Sequence, residues 1–148
     1  MIFYDKSNFE ECLSLFDENC PKYFALNERN DYIKYLKSNP KGYKTLFSNK
    51  KIIAAYGFNI NKALGSGRLS WIIVSPSSKN NGIGTEIMES IKKTSLTNNL
   101  STVDISASHL SAPFFKKFGY IEIKIIESGW GNNMDRVDMK WENTKTLS

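Results

Sequence analysis

Residues 70–89, "SWIIVSPSSKNNGIGTEIME", constrain what this chain can fold into more than any other stretch. An apolar run stops at Pro76, a polar loop follows, and two glycines one residue apart open a new pattern. There Ile83, Ile87 and Ile91 recur every four residues with Met88 beside them, the spacing of one helix face. Glu86 and Glu89 stand early in that segment and Lys92 and Lys93 late, which complements the helix dipole. "STVDISA" then reads as another strand. A strand, a helix and a strand around residues 70–107 imply one right-handed crossover between parallel strands.

The remaining segments fit around that unit. "MIFYD" reads as a short strand. Ser7 is suited to cap a helix over "NFEECLSLFDENC", whose Phe9, Cys12, Leu13 and Phe16 share a face. Pro21 ends it, and "ERNDYIKYLKS" places Tyr32, Ile33, Tyr35 and Leu36 at helical spacing. "YKTLFS", "KIIAAYGFNI" and "GRLSWIIVS", joined by "SNKK" and "ALGSG", predict an antiparallel meander. After the crossover, "SAPFFKKFG" predicts a short helix with Phe114, Phe115 and Phe118 on its apolar face and Gly119 as its stop. "YIEIKIIE" alternates as a strand, "SGWGNN" reads as a loop, and "DRVDMKW" is the last strand. The expected fold is an α/β domain with a mixed, largely antiparallel sheet flanked by helices, residues 1–148 forming one domain.

Composition excludes several classes. At 148 residues, 41% hydrophobic and 24% charged, the chain has the make-up of a globular domain able to bury a core. Its apolar runs are far too short for a membrane span, and the N-terminus lacks a signal-peptide pattern. Cys12 and Cys20 fall in one predicted helix, separated by about 12 Å, too far for a disulfide. Unpaired cysteines without an export signal predict a cytoplasmic protein. The net charge of +5 admits an anionic partner. Lysine supplies nearly all of it, and Arg29, Arg68 and Arg136 are the only arginines. Nucleic-acid readers lean on arginine forks, so no nucleic-acid partner is expected.

The loop "KNNGIG" admits four readings. A hairpin turn at Asn81-Gly82 requires a strand after it, and the helical pattern denies one. A mononucleotide loop requires Gly-Lys-Ser/Thr, but Thr85 and Glu86 follow Gly84. A dinucleotide fingerprint is matched by Gly82, Gly84 and the distant Asp104, but Ile87 occupies the third glycine position. What remains is a pyrophosphate cradle. Amides of residues 80–85 converge at a helix N-terminus, Gly82 and Gly84 let phosphate oxygens approach, and Lys79 adds a point charge.

"VSPSSKNNGIGTEIM" resembles the acetyl-CoA signature of the GNAT superfamily of N-acetyltransferases: Arg or Gln, two residues, Gly, one residue, then Gly or Ala, shortly after a strand ending in Val-x-Pro. "ISASHLSAPFFKKFGY" is similar to the family's second landmark, and the inferred element order matches over nearly the whole chain. The resemblance implies a V-shaped opening between the strands at 68–75 and 102–107, with acetyl-CoA in it as acyl donor and no metal. It implies donor contacts from Ile73, Val74, Lys79, Asn80, Asn81, Gly82, Ile83, Gly84, Thr85, Ser108, Phe115 and Lys117, with Lys116 also able to reach coenzyme A phosphates. Two positions depart from the pattern. Lys79 replaces the planar Arg or Gln, and Phe115 stands where a tyrosine often protonates the leaving thiolate.

The chemistry so implied is acyl transfer from a thioester to an amine of a small-molecule or peptide acceptor. A backbone amide at Ile73 or Val74 would stabilise the oxyanion. Many relatives carry a glutamate on the strand matching 68–75, but "RLSWIIVS" has no carboxylate. Ser108 and His109, the only histidine, are the catalytic candidates, histidine being the side chain suited to proton transfer near neutral pH. Trp130, Asp135 and Asp138 are candidates for the acceptor site, the aspartates to attract a cationic amine. A non-catalytic acyl-CoA sensor on the same fold is the alternative, and a homodimer is the default assembly.

Overall fold

A computed structural model describes residues 2–144; of Asn80 only the backbone is described. The chain order is β1 (Ile2–Phe3), α1 (Phe9–Glu18), α2 (Glu28–Lys37), β2 (Tyr43–Ser48), β3 (Lys51–Asn61), β4 (Ser66–Val74), α3 (Ile83–Thr97), β5 (Thr102–Ser108), α4 (Ala112–Lys116), β6 (Ile121–Gly131) and β7 (Met134–Glu142). A 3₁₀ turn over Lys6–Asn8 precedes α1 and another over Pro76–Asn81 precedes α3.

The strands form one seven-stranded sheet in the order β1-β2-β3-β4-β5-β7-β6. The meander β2-β3-β4 is antiparallel, as are β5-β7 and β7-β6. Only β4 and β5 run parallel, joined by the α3 crossover. Each face of the sheet has its own core. One combines Leu69, Val103, Ile105, Val137 and Met139 with Ile87, Met88 and Ile91 of α3 and Phe115 of α4. The other combines Tyr43, Ala55 and Ile73 with Cys12, Leu15 and Phe16 of α1 and Tyr32 and Leu36 of α2. Helices α1 and α2 therefore cover the β2–β4 half of a face that lies open over β5 and β7.

The β4–β5 ladder runs only from Ser66↔Thr102 to Leu69↔Ile105. Beyond it each strand pairs on its outer side alone, Ile73 with Ala55 and Ser108 with Arg136. The parting begins at a β-bulge. Gly57 faces Ser70 and Ala55 faces Ile73, so β4 carries one residue more than β3, and a bulge bends and twists its strand. Trp71 takes the strained position, with φ of 47°. Its carbonyl accepts from the Tyr43 hydroxyl at 2.9 Å, and the Tyr32 and Tyr43 hydroxyls lie 2.8 Å apart. Tyr43 has given its one proton to the carbonyl, so Tyr32 donates to Tyr43.

Three details differ from the sequence expectations. Asp5, not Ser7, starts the first helical segment. Its carboxylate accepts from the Ser7 amide at 3.2 Å and the Ser7 hydroxyl at 2.6 Å, and Asn8 caps back onto the Asp5 amide at 3.0 Å. A carboxylate is the stronger acceptor and takes the cap. Helix α1 ends at Glu18, so Cys20 lies outside it; both cysteines are free. The "SGWG" segment belongs to β6, where the Trp130 indole donates to the Ala107 carbonyl at 2.9 Å and ties the strand end down.

Tyr43→Phe should lower stability by about 2–3 kcal/mol, because the Trp71 carbonyl and the Tyr32 hydroxyl both lose a buried partner. A urea unfolding midpoint below wild type at unchanged slope checks this.

Candidate active site

A cleft of about 500 Å³ occupies the gap between β4 and β5 and continues onto the open face beside α1 and α2. Its walls are Ile72, Ile73 and Val74 of β4, Ser106, Ala107 and Ser108 of β5, Gly84 of α3, and Phe114 and Phe115 of α4. On the open face, Tyr23, Phe24 and Glu28 close one side and Trp130 the other.

The glycine loop sits at the edge of this cleft. Gly82 is the N-cap of α3 with φ of 77°, a left-handed geometry that favours glycine, and its carbonyl accepts the Glu86 amide. It has no side chain to cap the first amides of α3, and a Cβ there would meet nothing within 4 Å. Among the described residues the loop thus leaves free donors and open space together, the two conditions a phosphate needs. A Cβ at Gly84 would instead come within 3.0 Å of the Phe114 ring. That glycine lets α3 pack against α4.

Lys79 lies in the same cleft, but its ammonium sits 3.2 Å from the centre of the Tyr23 ring. This cation–π contact bridges the glycine loop and the α1–α2 connection. Burial and then the charge of Lys22 lower its pKa to about 8. An anion at the loop would reverse that shift.

Of the other residues singled out in the sequence, Ile73, Val74, Ser108, Phe115 and Trp130 line the cleft. Ser108 is already engaged, its hydroxyl 3.1 Å from that of Ser111 and accepting the Ser111 amide at 3.2 Å, so it organises the start of α4. Asn81, Ile83 and Thr85 belong to the loop and the first turn of α3; the Asn80 side chain lies outside the described residues. Phe115 is 2% exposed and packs edge-on against Phe114 and Tyr120.

Other candidates stand elsewhere. His109 extends the β5–β7 ladder, its Nδ1 accepting the Asp135 amide at 3.0 Å. Asp135 also accepts the Ser128 amide, and Asp138 pairs with Arg136 at 2.8 Å. None of these three lines the cleft. Lys117 faces a separate depression beside Trp141, and Lys116 pairs with Glu122 at 2.8 Å. Among the lining residues the one carboxylate is Glu28, which no local pattern separates from the other helix glutamates. Trp71, read as an ordinary strand residue, also faces the cleft. Among the described residues no cluster of histidine, cysteine and carboxylate side chains is placed to hold a metal, and no helix is long and apolar enough to cross a membrane.

A mixed sheet parted at its parallel pair, with the start of a helix on the parted edge, defines an α/β class whose cleft suits an anionic ligand. A family model described as the acetyltransferase (GNAT) domain matches residues 3–143, and the chain belongs to that family. Solved structures share the fold at low identity. The ribosomal-protein-S18-alanine N-acetyltransferase from Escherichia coli has a TM-score of 0.74 at 14% identity, covering 95% of this chain and 90% of that one. An aminoglycoside 6'-N-acetyltransferase complexed with coenzyme A has a TM-score of 0.68 at 14% identity, covering 96% and 97%. The F149A mutant of spermidine N-acetyltransferase SpeG from Vibrio cholerae has a TM-score of 0.67 at 14% identity, covering 99% and 96%. No curated protein sequence matches the chain significantly.

Coenzyme A affinity should fall with pH through the range set by Lys79. Its free-state pKa is about 8, and a phosphate partner would return it to the ordinary lysine range. Binding then takes up a proton above pH 8, so affinity is full below that pH and falls by about tenfold between pH 7 and pH 9. Isothermal titration should show this loss, and Lys79→Met should flatten it.

Proposed function

We propose that this protein is a cytoplasmic acetyl-CoA-dependent N-acetyltransferase working by direct attack in a ternary complex. The observation that supports this reading is one continuous cleft with two unlike ends. The uncapped start of α3 and its open glycine loop lie at one end, and a polar, aromatic-walled groove lies at the other.

The donor thioester supplies the acyl group and a thiolate leaving group. Gly82 and the first amides of α3 would hold the pyrophosphate, with Lys79 moving off Tyr23 to join them. Ile72, Val74, Ala107 and Phe114 exclude water along the apolar gap. Past Leu69 the β4 backbone has no ladder partner on the β5 side. The Ser75 amide donates to the Ile53 carbonyl of β3 and Ile73 pairs with Ala55 in the same register, so alternation turns Ile73 toward β3 and leaves the Val74 amide facing the gap, where it would donate to the thioester oxygen as charge develops. Phe115 cannot donate a proton. The thiolate is a tolerable leaving group with a free pKa of about 8.5, so transfer proceeds without that acid.

Phe115 also motivates the second reading, an acyl-CoA sensor without turnover. Mass-spectrometric detection of acetyl transfer across an amine panel separates the two. Acetylated product supports the enzyme; tight acetyl-CoA binding with no product from any acceptor supports the sensor. Thermal unfolding tests both. Acetyl-CoA at about 100 times its Kd should add roughly 2.7 kcal/mol and raise Tm by several degrees at about 2–4 °C per kcal/mol. No shift at millimolar acetyl-CoA would overturn both.

Gly82→Asp should abolish that thermal shift while the protein still folds. Aspartate tolerates left-handed geometry, and the space around Gly82 is open, so the change chiefly sets a carboxylate where phosphate is held. Gly82→Asn, without the charge, should keep a reduced shift.

A further inference from the structure

Glu28 is a buried carboxylate, one of whose two oxygens makes no hydrogen bond among the described residues. It is 5% exposed and begins α2. Its Oε2 accepts the Ala25 amide at 2.8 Å, and Oε1 has no hydrogen-bond partner among the described residues. Oε1 is also not among the atoms sealed from solvent without a partner. The residue lines the cleft and is the one carboxylate that does. A buried carboxylate in such a position calls for a cation.

The surroundings hold Glu28 in place. Arg29 forms a two-point pair with Asp17, at 2.9 and 3.2 Å, which clamps the start of α2 to the end of α1. Asn19, 1% exposed, donates to the Leu15 carbonyl at 2.9 Å and fixes the connection from its other end. Aromatic side chains line the same cleft. Phe24 stacks on Trp71 at 6.2 Å and 21°, and Tyr23 and Trp130 border the same space. Tyr23 and Trp130 already carry cations, Lys79 at 3.2 Å and Arg136 at 5.5 Å, so the rings serve to pack an alkyl stem and leave the ammonium to the carboxylate. Arg68 also lines the cleft; it donates to Ser106 at 2.9 Å, and against the effect of burial its charge, with that of Arg136, helps to lower the pKa of Asp138 behind that serine. A second positive centre on the acceptor would meet that guanidinium.

We infer that Glu28 is the catalytic residue that binds the acceptor ammonium and takes its proton, and that the acceptor is a primary amine with one positive centre on an apolar stem. This rests on the acetyltransferase reading above. One ammonium proton passes to Glu28 Oε1, and the nitrogen lone pair forms the new C–N bond at the thioester carbonyl. The C–S bond breaks, and its electron pair leaves on sulfur. The second nitrogen proton is lost to solvent, and Glu28 returns its own to solvent or to the thiolate.

The electrostatics agree with that role. Burial raises the Glu28 pKa to about 7, against the Ala25 hydrogen bond and with help from Asp31 one turn along α2. The other groups around it are Cys20 and the Asp17–Arg29 pair at the end of α1, and Lys79 over Tyr23 across the cleft. A base with that pKa is half ionised near neutral pH, where proton transfer is most effective.

Glu28→Gln is the test, because its amide oxygen can still accept the Ala25 amide while it can neither take a proton nor hold a cation. Thiol release from acetyl-CoA is followed with n-butylamine, phenethylamine and spermidine. Wild type should prefer the two monoamines, with kcat/KM rising through about pH 7. Glu28→Gln should lose about 100-fold or more in kcat/KM, lose the acid limb, and keep Tm and acetyl-CoA affinity. Wild-type rates retained in Glu28→Gln, or spermidine as the best acceptor, would overturn the inference. If wild type transfers to no amine, the enzyme reading has failed, and phenethylamine titration followed by tryptophan fluorescence still tests Glu28. Weaker binding by the variant supports the ammonium site, and equal binding overturns it.

Discussion

The hydrogen bond from the Tyr43 hydroxyl to the Trp71 carbonyl holds the irregularity on which the site depends. A sheet gains most by pairing along its full length, and β4 and β5 stop after Leu69 and Ile105. The extra residue at the bulge turns β4 out of register and leaves a backbone carbonyl without a ladder partner. A carbonyl buried in that state would favour restoring the ladder. Tyr43, supported by Tyr32, satisfies it from within the α1–α2 core. The opening is therefore a packed feature of the fold.

The two ends of the cleft use different physics. At the α3 end the structure supplies backbone donors, space and a helix dipole, with side chains removed at Gly82. At the α1–α2 end it supplies side chains: a carboxylate, ring faces and a guanidinium. The first arrangement suits an anion of fixed shape, and the second suits a cation. Lys79 on Tyr23 touches both, since the loop that would hold the phosphate supplies the ammonium that covers a wall of the second region.

The order of elements was legible because each signal is local. Helical period over residues 83–97, turn chemistry between the meander strands, and Pro76 after the apolar run depend on neighbouring residues alone. The glycine loop was legible for the same reason, as Gly82 and Gly84 stand between Pro76 and a helical period; that Gly82 is left-handed came from the structure. Local reading failed where two segments compete for one residue. Asp5 outcompeted Ser7 as a cap, and "SGWG" was drawn into β6 by the bond from Trp130 to Ala107. The carboxylates sought near the acceptor were chosen by their place in a loop and strand. Asp138 is instead paired with Arg136, and Asp135 accepts a backbone amide of β6.

The sequence by itself determined that a strand, a donor-rich loop and a helix lead into a second parallel strand. That unit is specified by period, proline and glycine, properties carried by adjacent residues. Only the tertiary structure decided which side chains share the cleft. Glu28, Trp71 and Trp130 are separated by long stretches of chain and meet because two helices cover half of one sheet face and leave the rest open. Burial at that boundary then alters their chemistry, raising the pKa of Glu28 and lowering that of Lys79 through lost solvation. Solvation is a property of the surroundings, and no residue carries it in its own identity.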